Sequence, residues 1–135
     1  NEKSGRIIAV DLSPRCLRDL VHLSKIRPGL VPVLGDARKY SAWGVMVATK
    51  VDWLLQDVSQ AGQTEIFINA VKRFLKPEGK GLLSLKAASE RYSDTDEREI
   101  FDQIRIQLED AGLTVQEQID LHGLEDNHCL YYVTN

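Results

Sequence analysis

Apolar residues gather in four short runs along this chain, and each run ends in a charge. Ile7-Ile8-Ala9-Val10 leads to Asp11, Leu30-Val31-Pro32-Val33-Leu34-Gly35 to Asp36, Val51-Asp52-Trp53-Leu54-Leu55-Gln56 to Asp57, and Leu82-Leu83-Ser84-Leu85 to Lys86. Helical segments separate the runs, so they read as strands of an open α/β sheet. Each charge then falls at the carboxyl end of a strand, the edge at which such sheets bind ligands.

The intervening segments carry their own signals. Residues 6–11 form an apolar strand expected to be buried on both faces. Ser13-Pro14 supplies an N-cap and an N1 proline for a helix with Leu17, Leu20, Val21 and Leu23 or Ser24 inward, stopping before Pro28-Gly29. Pro32 lacks an N–H and makes the second strand an edge strand. Residues 41–49 are weakly helical. Thr64 to Leu75 is a strong amphipathic helix, closed by Pro77 and Gly79, with Ile66, Phe67, Ala70, Val71 and Phe74 on one side. Residues 81–86 make the fourth strand, and residues 89–95 are turn-like. Asp94 or Thr95 is expected to cap a helix through Ala111, with Ile100, Phe101, Ile104 and Leu108 inward and Gly112 at C′. Residues 114–121 and 129–134 complete the pattern as an antiparallel hairpin. The order predicts a doubly wound, mostly parallel sheet ending in an antiparallel pair.

Composition narrows the class without changing this picture. The chain has 135 residues, 43% hydrophobic and 27% charged, and is expected to form one domain. No apolar run approaches membrane-spanning length, and residues 1–6 show no signal-peptide pattern. Net charge is −3 and there is no basic block, which argues against a stand-alone RNA binder. Cys16 and Cys129 lack CxxC-type spacing, and two unpaired thiols in a reducing compartment are expected ahead of a disulfide between them. His22 and His122 have no company that suggests a metal, so no metal site is expected.

Candidate chemistry follows from the strand ends. Asp11 is placed to accept from a ribose diol. The competing role is a carboxylate at a helix start, but Ser13 already offers the cap. In Gly35-Asp36-Ala37-Arg38, Asp36 can accept from an exocyclic amine and the Ala37 amide can donate to a ring nitrogen, which together would read an adenine edge. The other account is an ordinary Gly-Asp turn. Asp57 can hold a ligand ammonium and Gln60 can bond a ligand, although a polar turn explains Asp57-Val58-Ser59-Gln60 equally well in isolation. Lys86 is expected to lie partly buried and to pair with Asp57 on the neighbouring strand. A paired lysine in a cleft suits proton handling or charge stabilisation, against the plainer role of a lysine snorkelling from a strand end. His128 opens the last strand near the same edge, with a surface histidine the equal alternative.

Six ordered blocks of this sequence resemble the fibrillarin family of S-adenosylmethionine-dependent RNA 2′-O-methyltransferases. Ala9-Val10-Asp11-Leu12-Ser13-Pro14-Arg15 with Arg18-Asp19-Leu20 is similar to the family's Val-Glu-Phe-Ser-x-Arg…Arg-Asp-Leu. Pro32-Val33-Leu34-Gly35-Asp36-Ala37-Arg38 resembles Pro-Val-x-x-Asp-Ala-Arg, and Asp57-Val58-Ser59-Gln60-Ala61-Gly62-Gln63-Thr64 resembles Asp-Val-Ala-Gln-Pro-x-Gln-Thr. Asn69-Ala70 with Phe74-Leu75, then Leu85-Lys86-Ala87, then Asp126-Asn127-His128 resemble Asn-Ala…Phe-Leu, Ile-Lys-Ala and Arg-Asp-His. Three positions depart from the pattern: Asp11 stands for Glu, Ala61 for Pro and Asn127 for Asp.

The resemblance implies a Rossmann-like methyltransferase fold over residues 1–135 and S-adenosyl-L-methionine as cofactor. It implies Asp11 and Leu12 at the cofactor ribose, Asp36 and Ala37 at adenine, and Asp57, Val58, Ser59 and Gln60 at the methionine end. Asp57, Lys86 and His128 would form most of the catalytic group. The implied activity is methylation of rRNA or tRNA riboses in a box C/D ribonucleoprotein, with guide and target RNA, a Nop5/Nop56-type scaffold and a kink-turn-binding protein as partners and neither membrane nor metal involved. The implied location is intracellular: cytoplasmic in a prokaryote, nucleolar in a eukaryote.

The family has a further strand before this point, ending in a Gly-rich loop, and an upstream catalytic lysine. The chain is therefore expected to lack the first strand of its sheet, leaving Ile7 to Val10 as an apolar edge unless another polypeptide supplies the strand. A non-methylating scaffold or binding module of an RNA particle is the main competing function. A small-molecule methyltransferase comes next. A dinucleotide-dependent oxidoreductase ranks last, since it has no use for the Gly35-Asp36-Ala37 corner.

Overall fold

The computed structural model describes residues 5–90 and 96–135. The chain divides into two compact units, the first ending at Ala48 and the second running from Thr49 to Asn135. In the first, strand β1 (Ile7–Asp11) leads into helix α1 (Pro14–Ser24) and strand β2 (Leu30–Leu34). The cap is as the sequence predicts: Ser13 Oγ accepts from the Cys16 N–H at 3.3 Å, and Pro14 starts the helix. β1 and β2 pair in parallel from Ile7 opposite Leu30 to Asp11 opposite Leu34. β2 has β1 as its one partner in this sheet, which suits Pro32.

β1 corrects the expectation of a strand buried on both faces. Ile7 is 47% exposed and the other β1 residues are half-buried. One helix packed on two strands covers a single face, so within this unit the strand cannot be enclosed. After β2 come a 3-10 turn (Ala37–Lys39), the one-turn helix α2 (Tyr40–Trp43) and a second 3-10 turn (Gly44–Met46), in keeping with the weak helical signal there.

The second unit contains β3 (Val51–Asp57), α3 (Gln63–Phe74), β4 (Leu75–Lys86), α4 (Ala87–Glu90), α5 (Glu97–Asp110), β5 (Thr114–Asp120) and β6 (His128–Thr134). Its sheet runs β3-β4-β6-β5, with β3 and β4 parallel and the other two pairings antiparallel. The predicted terminal hairpin is β5–β6. Helices α3 and α5 join one face of this sheet in a single core that includes Phe67, Val71, Leu85, Phe101, Leu108 and Tyr131. Each such side chain contributes about 1.5–3 kcal/mol on burial. The inward α5 residues are those the spacing predicts. Gly112 holds φ 90° past the helix end, a conformation that favours glycine.

Two boundaries differ from the sequence reading. The α5 cap is Asp96, whose side chain accepts from the Arg98 N–H at 3.3 Å; the predicted caps Asp94 and Thr95 lie outside the described residues. Pro77 and Gly79 do not simply follow a helix, because β4 already begins at Leu75, opposite Val51. The register then slips, and Trp53 pairs with Lys80. A bulge of this kind accommodates a proline that has no ladder N–H to give. Asn135 clamps it, donating from its N–H to the Gly79 carbonyl at 3.0 Å and accepting from the Glu78 N–H at 3.1 Å.

Candidate active site

Side chains alternate along a strand, and directly opposed residues share a face. Asp57 lies opposite Ser84, Ser84 is two residues before Lys86, and Lys86 lies opposite His128. Asp57, Lys86 and His128 therefore share the sheet face turned away from the α3–α5 core. The same register puts Leu55, Leu82, Leu130 and Tyr132 on that face, next to the charged end. Three residues distant in sequence thus meet at one end of one sheet, through the parallel alignment of β3 with β4 and the closure of the hairpin.

Lys86 and His128 form the closer kind of antiparallel pair. The Ala87 N–H donates to the Asn127 carbonyl at 2.8 Å, so the ladder bonds flank the pair and the Lys86 and His128 backbone groups point away from each other. His128 is buried. Its Nδ1 lies 2.9 Å from the Asp126 carbonyl oxygen, which only accepts, so Nδ1 carries the proton. Nε2 lies 3.5 Å from Glu125 Oε1 and gains an ion pair when the ring is charged. Asn127 takes up φ 62°, a left-handed conformation that Asn and Asp tolerate better than other non-glycine residues. The replacement of the family's aspartate by Asn127 is thus compatible with the turn that presents His128.

The expected Asp57–Lys86 ion pair is absent among the described residues. Asp57 is the last residue of β3 and its register partner is Ser84, so Lys86 stands two residues beyond it. The partner that Lys86 has is Gln63. Gln63 Nε2 donates to the Lys86 carbonyl at 3.0 Å, and Gln63 Oε1 accepts from the Lys86 N–H at 3.0 Å. Gln56 Nε2 in turn donates to the Gln63 carbonyl at 2.7 Å.

The loop after β3 leaves a polar group unspent. Gln60 Oε1 is buried without a hydrogen-bond partner among the described residues. A buried carbonyl oxygen of this kind calls for a donor, and a ligand ammonium group is one. Ser59 is held from α4, its carbonyl accepting from Ser89 Oγ at 3.2 Å. Val58 is half-buried between them and Asp57.

In the first unit, Asp11 Oδ1 accepts from the Ser13 N–H at 2.7 Å. Asp11 thus shapes the turn into α1 with one oxygen, while Ser13 does the capping. Leu12 is exposed beside it. Asp36 differs from the sequence picture: its carboxylate faces Arg38. Oδ2 accepts from Arg38 Nη2 at 2.8 Å, and Oδ1 accepts from the Arg38 N–H at 2.9 Å and Nε at 3.1 Å. This carboxylate raises the Arg38 pKa through the hydrogen bond and the charge pairing. Ala37 opens the 3-10 turn, where an N–H has no partner inside the helix. The absence of a side chain at Gly35 makes room for the Trp43 indole: a Cβ there would lie 2.5 Å from Trp43 Cδ1. Trp43 Nε1 also donates to the Asp36 carbonyl at 2.8 Å.

Gln63 and Trp43 are the residues that the motif reading missed as contributors. Gln63 lies in a block whose resemblance assigns it no role, and Trp43 lies in a weakly helical stretch that carries no motif. The free thiols are outside the chemistry: Cys16 is exposed and Cys129 is buried, with burial pushing its pKa up to about 11.

Comparison with known proteins agrees with the six blocks. The fibrillarin family model matches residues 1–135. A fibrillarin-like rRNA/tRNA 2′-O-methyltransferase of Thermococcus sibiricus is 38% identical over 129 residues, covering 96% of this chain and 56% of that protein. The chain thus spans little more than half the length of such relatives. The crystal structure of Aeropyrum pernix fibrillarin with natively bound S-adenosyl-L-methionine superposes with a TM-score of 0.81 at 30% identity, over 96% of this chain and 55% of that one. A fibrillarin/Nop5p complex gives a TM-score of 0.87 at 28% identity, over 96% and 60%. The fold is the Rossmann-like methyltransferase fold, and the chain belongs to the fibrillarin family.

Proposed function

We propose that the complete protein is an S-adenosylmethionine-dependent methyltransferase acting on ribose 2′-hydroxyls of rRNA or tRNA. The observation that carries this reading is the meeting of Asp57, Lys86 and His128 on one sheet face, with Lys86 and His128 directly opposed. The name and function given to the Thermococcus relative support it.

In each unit taken by itself, the residues present suit the part of the cofactor that the resemblance assigns to that unit. Asp11 and Leu12 would hold the ribose, Asp36 and Ala37 the adenine, and Asp57, Val58, Ser59 and Gln60 the methionine end. Gln60 Oε1, without a partner among the described residues, would accept from the ammonium group. For Asp36 to accept an adenine amine it must share oxygens already engaged by Arg38. S-adenosylmethionine supplies an already activated methyl group when bound, which leaves the protein to orient the acceptor and manage its proton. The Lys86 ammonium would stabilise charge developing on the ribose oxygen. The His128 imidazole, held by its Nδ1 proton on the Asp126 carbonyl, would receive or relay a proton at Nε2, with Glu125 beside it.

The acidic chain gains its RNA through partners. A Nop5-type scaffold is proposed from the fibrillarin/Nop5p complex; guide RNA and a kink-turn-binding protein complete the particle by resemblance. The location is cytoplasmic in a prokaryote and nucleolar in a eukaryote on the same basis. The test is calorimetry of the complete protein with S-adenosylmethionine, followed by methyl transfer to guided RNA in the assembled particle. Cofactor binding with ribose methylation is expected. Absence of binding would overturn the enzyme and leave the non-methylating scaffold.

A further inference from the structure

We infer that Gln63 is a positioning residue for Lys86: its side-chain amide stands in for a missing rung of the β3–β4 ladder and fixes the backbone from which the lysine projects. The inference rests on the role proposed above for Lys86.

The β3–β4 pairing ends with Asp57 opposite Ser84, while β4 continues to Lys86. On its other side Lys86 faces His128 in a pair whose ladder bonds are carried by the residues on either side. The Lys86 N–H and carbonyl consequently turn toward the side where β3 has run out. Left there, both groups would lack partners in a partly buried place, and the strand end would fray. Gln63 meets the need with one planar group, accepting from the Lys86 N–H and donating to its carbonyl, each at 3.0 Å.

The requirement is specific in chemistry and length. At neutral pH a primary amide carries a donor and an acceptor side by side in this way, whereas an ionised carboxylate only accepts, and asparagine is one methylene shorter. Gln63 is itself immobilised. Its side chain is fully buried, it opens α3, and its carbonyl accepts from Gln56 Nε2 at 2.7 Å. Gln56 precedes Asp57 on β3, so one chain of hydrogen bonds runs from the strand that carries Asp57 to the backbone of Lys86. Lysine has a long, flexible stem, and what the protein controls best is the point from which the stem starts. Small displacements of a reacting group lower rates steeply.

The test uses the complete protein in its RNA particle. Gln63→Leu removes both hydrogen bonds at similar volume. Single-turnover methyl transfer should slow on the order of 10- to 100-fold, with cofactor affinity unchanged by calorimetry. Hydrogen exchange at the Lys86 amide should accelerate in the cofactor-free protein. Combined with Lys86→Ala, the Gln63 substitution should add no further slowing. Gln63→Glu supplies a second arm should the leucine variant fail to fold. Its protonated carboxyl has the hydroxyl donor and carbonyl acceptor of the amide, and its ionised form has no donor. Activity relative to the unsubstituted protein at each pH should therefore approach unity in acid and fall as pH rises. A slow Lys86→Ala variant beside a Gln63→Leu or ionised Gln63→Glu variant at full rate would overturn the positioning role alone. Full turnover in Lys86→Ala would overturn the role proposed for Lys86, and the role of Gln63 with it, while leaving the methyltransferase reading in place.

Discussion

Lys86 and His128 face each other across the β4–β6 ladder, although 41 intervening positions separate them in sequence. The pairing is of the closer type, with side chains on the same face, because the Ala87 N–H and the Asn127 carbonyl carry the ladder bond. A lysine and a histidine are thereby held side by side on the face that also bears Asp57.

This arrangement makes Lys86→Ala the decisive substitution for the proposed chemistry. In the complete protein, methyl transfer should fall by on the order of 10²–10⁴-fold, the range for losing a positioned acid–base or charge-stabilising group. Cofactor affinity, measured by calorimetry, should stay close to its original value.

The turn that presents His128 depends on Asn127 at φ 62°. Asn127→Val forces a β-branched residue into the left-handed region and should cost about 1–2 kcal/mol in denaturant unfolding. Asn127→Gly should be nearly neutral. Equal losses for the two would show that the side chain, not the backbone conformation, is what the turn needs.

Gly35 and Trp43 should behave as a coupled pair. Gly35→Ala drives a methyl into the indole and should destabilise by about 1–3 kcal/mol, as overpacking does. In a Trp43→Ala background the same change should be far milder. The double-mutant cycle in thermal or chemical unfolding measures the coupling, and simple additivity would disprove the contact.

The two thiols should separate cleanly in alkylation. Cys16 is exposed and should react with iodoacetamide in the native protein, whereas Cys129 should react only on unfolding. Burial raises the Cys129 pKa from 9.0 to about 11, so the folded state binds its proton more tightly than the unfolded state. The stability this contributes is complete below pH 9 and is lost as pH rises toward 11. Unfolding followed across that alkaline window should show the decline, and Cys129→Ala should reduce it, leaving the part due to buried Tyr131, whose pKa is also raised.

Much of the local structure was legible because its causes are local. Ser13-Pro14 starts α1 wherever the helix packs, and Ile100, Phe101, Ile104 and Leu108 define one side of α5 by spacing alone. Pro32 consigned β2 to an edge by lacking an N–H. The boundary at Leu75 was not legible. Whether Pro77 follows a helix or sits in a strand bulge depends on Val51 and Asn135, partners remote in sequence. Similarly, the sequence places the α5 cap at Asp94 or Thr95, which lie outside the described residues, whereas the Asp96–Arg98 bond shows Asp96 capping the helix.

The candidate site divides along the same line. By itself the sequence determined which charges end which strands, and the ordered blocks determined the family, since residue type and spacing are properties of the chain. Tertiary structure alone decided the neighbours. It set Lys86 against His128, put Ser84 rather than Lys86 opposite Asp57, turned Asp36 onto Arg38, and gave the backbone of Lys86 to Gln63. Strand register and the reach of a side-chain amide are settled when hydrogen-bonding groups brought together by packing must all find partners, and no local pattern of residues encodes that.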